Sequence, residues 1–357
     1  MALSRRRFVA TAGGAVLALG SAGLAPRPAR AQRKTLRIIQ WSHFVPGYDT
    51  WFDGTFCKAW GEKHGTDVKI DHISIGEIGA RAAAEVSAQR GHDLFMFLSP
   101  PAAYGNQVID HAEIYEQVAQ RHGRAVDLAH KSTFDPKARK YFAFSASYVP
   151  DPGHYRQDLW AQVGYPRGPD SWEDVRKGAR AIREKLGNPC GLGLSQELDS
   201  NMALRSLLWS FGGSVQDEAG KVVLSSPQTI EALKFMRAIH QESQTPEVFT
   251  WDPGSNNRGI LSGKLSYVTN AISIARTAEK DDPALARKLQ LVRAPKGPAR
   301  RIAAEHVVEC YAIWKFAENK DGAKQFLADY VDAFADAFKA SELYNLPCFP
   351  QTVPDLA

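Results

Sequence analysis

The sequence predicts an α/β protein with two domains, and three observations lead to this prediction. Segments with strand and helix patterns alternate along the first third of the chain. About 326 residues remain (357 less 31) after a removable N-terminal segment, which is large for one hydrophobic core. Apolar residues make up 44% of the chain, which is enough to fill two cores.

The first 31 residues have the features of an export signal. Arg5–Arg7 form a positively charged start, Phe8–Ala25 is small and apolar, and Ala29–Ala31 provides a small-x-small cleavage pattern. Glycine, serine and threonine dilute the apolar run, so it is too weak for a membrane anchor, which needs about 20 strongly apolar residues. The stretch Ser4–Val9 also resembles the twin-arginine export motif. We therefore expect cleavage after about Ala31 and a periplasmic mature protein.

Removing this signal changes the charge of the protein. The whole chain has 44 Lys and Arg against 39 Asp and Glu, a formal net charge of +5. The signal holds five arginines and no acid, so 39 basic residues face 39 acidic residues in the mature chain. A protein that binds nucleic acid carries a basic surface. The composition therefore predicts no nucleic-acid partner.

Motifs for catalysis, cofactors and metals are missing. The chain has no G-x-x-x-x-G-K-[ST] loop, no G-x-G-x-x-G after a strand, no G-x-S-x-G and no H-E-x-x-H. His306 and Glu309 would point to opposite faces of a strand, and Asp252–Asn257 lacks the acids of a calcium loop and is typical of a surface turn. We expect no enzyme activity, cofactor or metal, although the residues alone leave open a periplasmic hydrolase with paired carboxylates.

The sequence pattern predicts a β-α-β-α-β order for the N-terminal part of the mature chain. Leu36–Trp41 and Asp67–Ile73 are predicted strands, and Asp49–His64 and Ile78–Gln89 are predicted helices with recurring apolar faces. Leu94–Leu98 is a continuous apolar run, as expected for a parallel strand buried on both faces. In such folds ligands bind at the loops that follow the carboxyl ends of the strands.

A second, more helical region follows residue 148. Ser171 and Asp174 have the spacing of a capping box at the start of a helix over Trp172–Leu186, and Gly187 ends it. Further helices are predicted around Leu204–Phe211, from Ser226-Pro227 onward, and over Asn319 to about Ala340.

Four cysteines stand in what should be an oxidising compartment. Their spacing allows either one disulfide or buried free thiols, and the sequence does not choose between them. The cysteines are Cys57, Cys190, Cys310 and Cys348.

In the order of its motifs, the chain resembles the extracellular solute-binding protein family 1, the ABC-transporter sugar-binding proteins of the maltose- and glycerol-phosphate-binding type. The resemblance covers nearly all of the mature chain. It departs at Tyr155–Leu159, where the family's Tyr-Asn pair is not kept. The stretches that carry it are Leu159–Tyr165 with Pro169–Val175, Phe211–Ser214 with Gly220–Val222 and Ser226-Pro227, Gly263–Asn270, and Asn319–Leu327.

The resemblance implies a two-lobe, type II periplasmic-binding-protein-like fold in which crossing strands join the lobes around a ligand cleft. It places 32–146 and 272–303 in the N-terminal lobe, and 147–271 and 304–357 in the C-terminal lobe. The family continues with another helix after Asn345–Pro347, which this chain would lack.

The resemblance also implies a function. A monomer would capture a carbohydrate or polyol by hinge closure and deliver it to inner-membrane ABC permease subunits with their cytoplasmic ATPase. A phosphorylated polyol or an organic acid is the alternative ligand, and it would require cations such as Arg258, Arg276 or Arg301 in the cleft.

The candidate ligand-binding residues follow from loop position and from the resemblance. We expect His43 and Trp251 to be exposed, because both stand in loops, whereas Trp41 could equally be a core residue. Tyr148 falls at the predicted hinge. The full set is Trp41, Ser42, His43 and Phe44 after the first strand, Ser99 and Pro100 after the third, Tyr148, Glu197, Asp199, Trp251, Asn270, Ser273, and Glu305 and His306 before the last crossing.

Overall fold

The computed structural model describes residues 33–304 and 307–356, so the predictions for residues 1–31, Glu305 and His306 lie outside the described residues. The strands of the described part, in chain order, are β1 (Lys34–Trp41), β2 (Thr66–Ile73), β3 (Leu94–Phe97), β4 (Phe134–Asp135), β5 (Lys140–Tyr141), β6 (Phe144–Val149), β7 (Gly153–Arg156), β8 (Cys190–Gly191), β9 (Tyr267–Thr269), β10 (Leu289–Val292), β11 (Val307–Ile313) and β12 (Leu346–Pro347).

The helices pack on both sides of these strands. They are α1 (Pro46–Trp51), which continues through a π-helical turn (Phe52–Cys57) into α2 (Lys58–Lys63), then α3 (Ile78–Ala88), α4 (Ala112–His122), α5 (Asp127–Thr133), α6 (Gln157–Ala161), α7 (Trp172–Leu186), α8 (Leu198–Ser210), α9 (Pro227–Ser243), α10 (Ser255–Leu261), α11 (Ser273–Asp281), α12 (Pro283–Ala286), α13 (Lys320–Asp332) and α14 (Phe334–Ala340). Short 3₁₀ turns lie at Ile75–Glu77, Ala102–Tyr104, Pro246–Phe249, Pro350–Thr352 and Pro354–Leu356.

The first sheet has the strand order β12-β6-β11-β3-β1-β2. Strand β1 pairs in parallel with β2 and with β3, and helical segments connect the three strands. Strand β3 is buried along its whole length, because layers of helices cover both faces of a parallel sheet. The predicted β-α-β-α-β order is therefore confirmed.

Antiparallel strands from later in the chain complete this sheet. Strand β11 is buried throughout and lies between β3 and β6, and β12 pairs with the outer edge of β6. Helices α13 and α14 contribute Phe326 and Phe338 to the core of the same lobe. The structure thus differs from the predicted boundary: the described part of 304–357 belongs to the first lobe, because β11 finds its hydrogen-bonding partners there.

The second sheet is smaller and has the order β10-β7-β9-β8. Strand β10 pairs antiparallel with β7, and Ile274 of α11 packs with Val268 and Leu289 in a core cluster of this lobe. The prediction had placed the segment 272–303 in the first lobe. The structure places it in the second lobe instead. Ala271 and Ile272 make contacts in the other direction, since Ala271 is buried in the first core and Ile272 packs against it.

Two connections join the sheets. Pro150–Pro152 leads from β6 into β7, close to Tyr148, where the hinge was predicted. On the return, Ala304 donates its N–H to Ser206 Oγ of α8 at 2.8 Å, and the chain enters the first sheet at Val307. The first connection is only three residues long, so it can act as a hinge between two otherwise separate cores.

Helix α7 begins and ends as the sequence predicted. The Ser171 hydroxyl accepts a hydrogen bond from the N–H of Asp174 at 3.1 Å, and the Asp174 carboxylate accepts one from the N–H of Ser171 at 2.9 Å. At the other end Gly187 takes a left-handed conformation with φ 81°. The capping box is confirmed.

We expect Gly178→Ala to lower the free energy of unfolding by about 2 kcal/mol, although alanine is the better helix former. A Cβ on Gly178 would lie 2.3 Å from the ring of Trp160, which is fully buried and held by its indole N–H donating to Ser266 O at 2.9 Å. Gly79→Ala in α3 is the matched control, because nothing lies within 4 Å of its added Cβ. Urea unfolding should show no loss for the control, and equal effects in the two variants would contradict this packing.

No disulfide joins the four cysteines, all of which are buried, so of the two alternatives the structure has reduced thiols. Burial raises the pKa of the Cys190 thiol to about 12. Across residues 33–304 and 307–356 no helix is both long and apolar enough to cross a membrane.

Candidate functional site

The loops after β1 and β3 lie at one edge of the first sheet, because these strands are parallel neighbours. Ser42 and Ser99 are exposed there, and Pro100 is half-buried. Phe44 exposes 41% of its surface and makes an edge contact with the Trp41 ring, with ring centroids 5.2 Å apart. The structure therefore brings these predicted residues together at the sheet edge.

Of the two aromatic residues in the β1 loop, only Phe44 presents its ring to solvent. Trp41 is 1% exposed and belongs to the core of the first lobe, which was one of the two expected outcomes. Its ring makes the edge contact with Phe44 from within this core. A solute that meets this edge would contact Phe44 first.

His43 is buried, contrary to the expectation that its loop position exposes it. The loop turns inward so that Val45 donates its N–H to His43 Nδ1 at 2.9 Å. The proton therefore lies on Nε2, which donates to Asn345 Oδ1 at 3.2 Å. The ring packs between Trp41 and Tyr344, and this burial lowers the pKa of His43 to about 4. His43 is thus a neutral link between the β1 loop and the segment before β12.

The second lobe holds a buried group of amides and a carboxylate. Asn256 donates through Nδ2 to Asp199 Oδ2 at 2.9 Å, and Asn270 donates to Asn256 Oδ1 at 2.9 Å. Asn257 donates to Ser273 Oγ at 3.3 Å and accepts a short hydrogen bond from Asn270. Asp199, Asn270 and Ser273, predicted from distant parts of the sequence, are therefore neighbours. We call Asp199, Asn256, Asn257, Asn270 and Ser273 the amide cluster.

Asn256 and Asn257 were missed by the sequence reasoning, which interpreted Asp252–Asn257 as a surface turn. Asp252 is indeed exposed and pairs with Arg258 at 2.9 Å, whereas the next three residues are half-buried. Helix α10 begins at Ser255, however, and turns Asn256 inward until it is 3% exposed. The available signal was the helical spacing of Asn256 and Ile260, which places a polar side chain on the same helix face as an apolar one.

Glu197 lies at the start of α8 and caps that helix. Its carboxylate accepts hydrogen bonds from the N–H groups of Asp199 and Ser200 at 2.7 and 2.5 Å, and from the Ser200 hydroxyl. These bonds satisfy donors that a helix start otherwise leaves open. Glu197 therefore orients Asp199, and its own oxygens are occupied within the protein.

Trp251 is half-buried rather than exposed. Its ring packs against the second-lobe cluster that contains Ile260 and Leu265, and it would lie 3.2 Å from a Cβ added to Gly191. The Ser195 hydroxyl donates to its backbone carbonyl at 2.7 Å. The Pro- and Gly-rich sequence around Trp251 did not reveal this packing partner.

The two lobes meet at the start of α8. Leu198 packs against the core of the first lobe, and Arg276 of α11 donates through Nε to Glu342 O at 3.0 Å. Tyr344 is fully buried beside this junction. Burial raises the pKa of its phenol, and the carboxylates of Glu309 and Asp199 raise it further, so groups of both lobes act on Tyr344.

Two polar atoms at this junction have no hydrogen-bond partner within the described part of the chain. They are Tyr344 Oη and Asn345 Nδ2, both fully buried. Buried polar groups are nearly always paired, so an unpaired one needs an explanation. The sequence carried no signal for these residues, since tertiary folding alone brings residues 344–345 opposite the amide cluster. Tyr148 is half-buried on β6, and its backbone pairs with Leu346 just beyond them.

Comparison with known proteins identifies the fold. Maltose-bound MalE3 of T. maritima superposes with a TM-score of 0.75 at 19% identity, covering 90% of this chain and 84% of that one. An ABC transporter solute-binding protein of Agrobacterium radiobacter K84, in complex with ribitol, gives a TM-score of 0.72 at 18% identity, covering 90% and 83%. The predicted type II periplasmic-binding-protein-like fold is therefore confirmed.

Sequence comparison leads to the same group of proteins. A binding protein of Brucella abortus strain 2308 is 23% identical over 176 residues, which are 49% of this chain and 42% of that protein. The match thus spans less than half the length of this relative. The model of the bacterial extracellular solute-binding proteins matches residues 46–331, most of both lobes. The chain belongs to the bacterial extracellular solute-binding protein family.

Proposed function

We propose that this chain is the substrate-binding component of an ABC importer and that it captures a neutral carbohydrate or polyol between its lobes. The observation that carries this proposal is the amide cluster, which lies in the second lobe close to Tyr344 of the first. Amides and carboxylates at fixed positions suit hydroxyl groups, which both donate and accept hydrogen bonds. A solute that lacks a matching hydroxyl would leave a buried group unpaired and bind poorly.

The unpaired atoms of Tyr344 and Asn345 support a ligand position at the lobe junction. One is a phenol, which donates or accepts, and the other is an amide donor. The exposed ring of Phe44 adds an apolar face for the carbon side of a sugar ring. Capture would follow from hinge closure about Pro150–Pro152, because a solute shifts the lobes only if it binds the closed form more tightly.

A neutral solute is favoured over a phosphorylated polyol or an organic acid. The three arginines that an anionic ligand would need already have carboxylate partners within the protein. Arg258 pairs with Asp252 at 2.9 Å, and Arg301 pairs with Asp170 at 2.6 Å. Arg276 pairs with Glu279 at 2.8 Å. The amide cluster itself contains a carboxylate, which repels an anion.

Export to the periplasm fits this function. Residues 1–31 carry a twin-arginine-like signal pattern that would be removed after about Ala31. The mature monomer would then meet inner-membrane permease subunits, whose cytoplasmic ATPase drives uptake. It would bind and release the solute without changing it chemically, and it would need no cofactor or metal.

The test is a thermal-shift screen of the mature protein, residues 32–357, against maltose, laminaribiose, ribitol and other sugars and polyols, with phosphorylated polyols and organic acids as competing classes. A ligand that binds only the folded state adds about 2.7 kcal/mol at 100 times its dissociation constant. We expect a neutral sugar or polyol to raise the melting temperature by several degrees, and increasingly so with concentration.

The solute is then recovered from the incubation and analysed by mass spectrometry. Recovery of the unchanged solute is the result expected for a binding protein, whereas a cleaved solute would support the hydrolase hypothesis. A shift given only by phosphorylated compounds or acids would contradict the neutral-ligand proposal.

A further inference from the structure

Glu309 is a buried carboxyl group in the middle of the first sheet, on the strand that returns from the second lobe. It lies on β11, is 4% exposed and accepts a short hydrogen bond from Ser147 Oγ on β6. The pairing of β11 with β6 shifts register between Glu309 and Cys310, which is a β-bulge. Bulges of this kind re-aim side chains and occur often beside functional sites.

The surroundings of Glu309 offer few groups that stabilise a negative charge. Its Oε1 atom has no hydrogen-bond partner by distance and angle in the described part of the chain, although the indole N–H of Trp41 acts on the carboxyl and lowers its pKa. The titratable groups that act on it from the packed elements are Asp49 and Tyr48 of α1, Cys310 and Tyr311 of β11, Tyr330 of α13, and Tyr344.

All six of those groups are acids, so none of them can supply a compensating positive charge. Taking a carboxylate out of water without a cation is costly, and such a group is held neutral instead. Burial is the largest influence and raises the pKa of Glu309 to about 7. The hydrogen bond from Ser147 and the Trp41 indole lower it, and Asp49 raises it.

The position of Glu309 connects three parts of the candidate site. Trp41 makes an edge contact with Phe44 at the exposed edge of the sheet. Ser147 stands three residues before the connection at Pro150–Pro152, and Glu309 itself follows the returning connection. We propose that Glu309 is a positioning residue whose buried carboxyl holds the Trp41 ring and the Ser147 strand in place. Gain or loss of its proton then moves the Trp41 ring and, through the contact between the two rings, Phe44.

The protonation state of Glu309 decides which hydrogen-bond partners its carboxyl group requires. An ionised Glu309 only accepts, so it draws the Ser147 hydroxyl and the Trp41 N–H toward its oxygens. A protonated Glu309 accepts less and presents an O–H donor of its own. Its effect on solute capture rests on the proposed function, whereas the coupling to Trp41 is a property of the solute-free protein.

The test is therefore made on the mature protein without any solute. Tryptophan fluorescence is titrated from pH 5 to pH 9 in the wild type and in Trp41→Phe, and the difference reports on Trp41. We expect a single transition centred near pH 7. Glu309→Gln should abolish it, and Glu113→Gln, an exposed glutamate that pairs with Lys324, should leave it unchanged.

Ser147→Ala gives an independent check, because the lost hydrogen bond had lowered the pKa of Glu309. The midpoint should move upward in this variant, with far-ultraviolet circular dichroism confirming the fold. A purely structural role for Glu309 would not shift a titration midpoint.

Three results would overturn the proposal: no transition in the wild type, a transition that survives Glu309→Gln, or an unmoved midpoint in Ser147→Ala. If Glu309→Gln does not fold, the Ser147→Ala midpoint decides. A failed solute screen with an intact transition would count against the proposed function and not against this inference.

Discussion

Replacing Glu309 by glutamine should remove a pH dependence of folding stability of about 3 kcal/mol. The carboxyl has an ordinary pKa of 4.5 and a pKa of about 7 in the folded protein, and a difference of that size corresponds to about 3 kcal/mol. Since burial disfavours the charged form, the folded state holds the proton more tightly than the unfolded chain does. Its stabilising contribution is complete below pH 4.5 and is lost as the pH rises through about 7.

The measurement is urea unfolding of the wild type and Glu309→Gln at half-unit steps between pH 4.5 and pH 8.5. Other groups contribute to both profiles equally, so the difference between the two proteins isolates Glu309. We expect the wild type to lose about 3 kcal/mol relative to the variant across this range. Glu113→Gln serves as the exposed control. Parallel profiles for wild type and Glu309→Gln would show that the carboxyl does not hold its proton in the folded state.

The second large effect concerns solute binding at the amide cluster. We expect Asp199→Asn to weaken the binding of a solute found in the thermal-shift screen by about 30-fold. Asp199 is 6% exposed and accepts from the amide groups of Asn256 and Asn270. Hydrogen bonds to a charged group contribute about 1.5–3 kcal/mol, which corresponds to a factor of roughly 10 to 150. The change also replaces an acceptor by a donor beside two amides.

Isothermal titration calorimetry of wild type, Asp199→Asn and Asp336→Asn would measure this effect. Asp336 lies exposed on α14 in the other lobe and provides a matched Asp-to-Asn control. The control should bind as tightly as the wild type. If Asp199→Asn also keeps full affinity while remaining folded, the amide cluster is not where the solute binds.

Local chemistry explains which elements could be predicted from the sequence. The cap formed by Ser171 and Asp174 involves residues three apart, and the apolar run of β3 depends only on its own burial. The start of the helix at Trp172 and its end at Gly187 were predicted for the same reason. Such features need no knowledge of distant parts of the chain.

The division of the lobes could not be predicted in this way. Strand β11 pairs with β3 and β6, which lie more than 150 residues earlier, and β10 pairs with β7, which lies more than 130 residues earlier. Either sheet could accept a short apolar strand. The choice depends on backbone hydrogen bonds that form only when both sheets have assembled, so the predicted lobe for 272–303 and 304–357 was wrong.

The candidate site shows the same division between local and long-range causes. Loop position correctly placed Ser42, Phe44 and Ser99 at one sheet edge, but it failed for His43, which turns inward toward Asn345. It failed also for Trp251, which packs on a core cluster.

By itself the sequence determined the fold family, the helix caps and the absence of the familiar catalytic motifs, because these depend on composition and on neighbours within one element. Only the tertiary structure decided that Asp199, Asn256 and Asn270 share one buried cluster, that Tyr344 joins it from the other lobe, and that Glu309 is shut away from water. The charge and the hydrogen bonding of these groups are set by burial and by partners from distant parts of the chain. Local spacing in the sequence encodes neither the burial nor the partners.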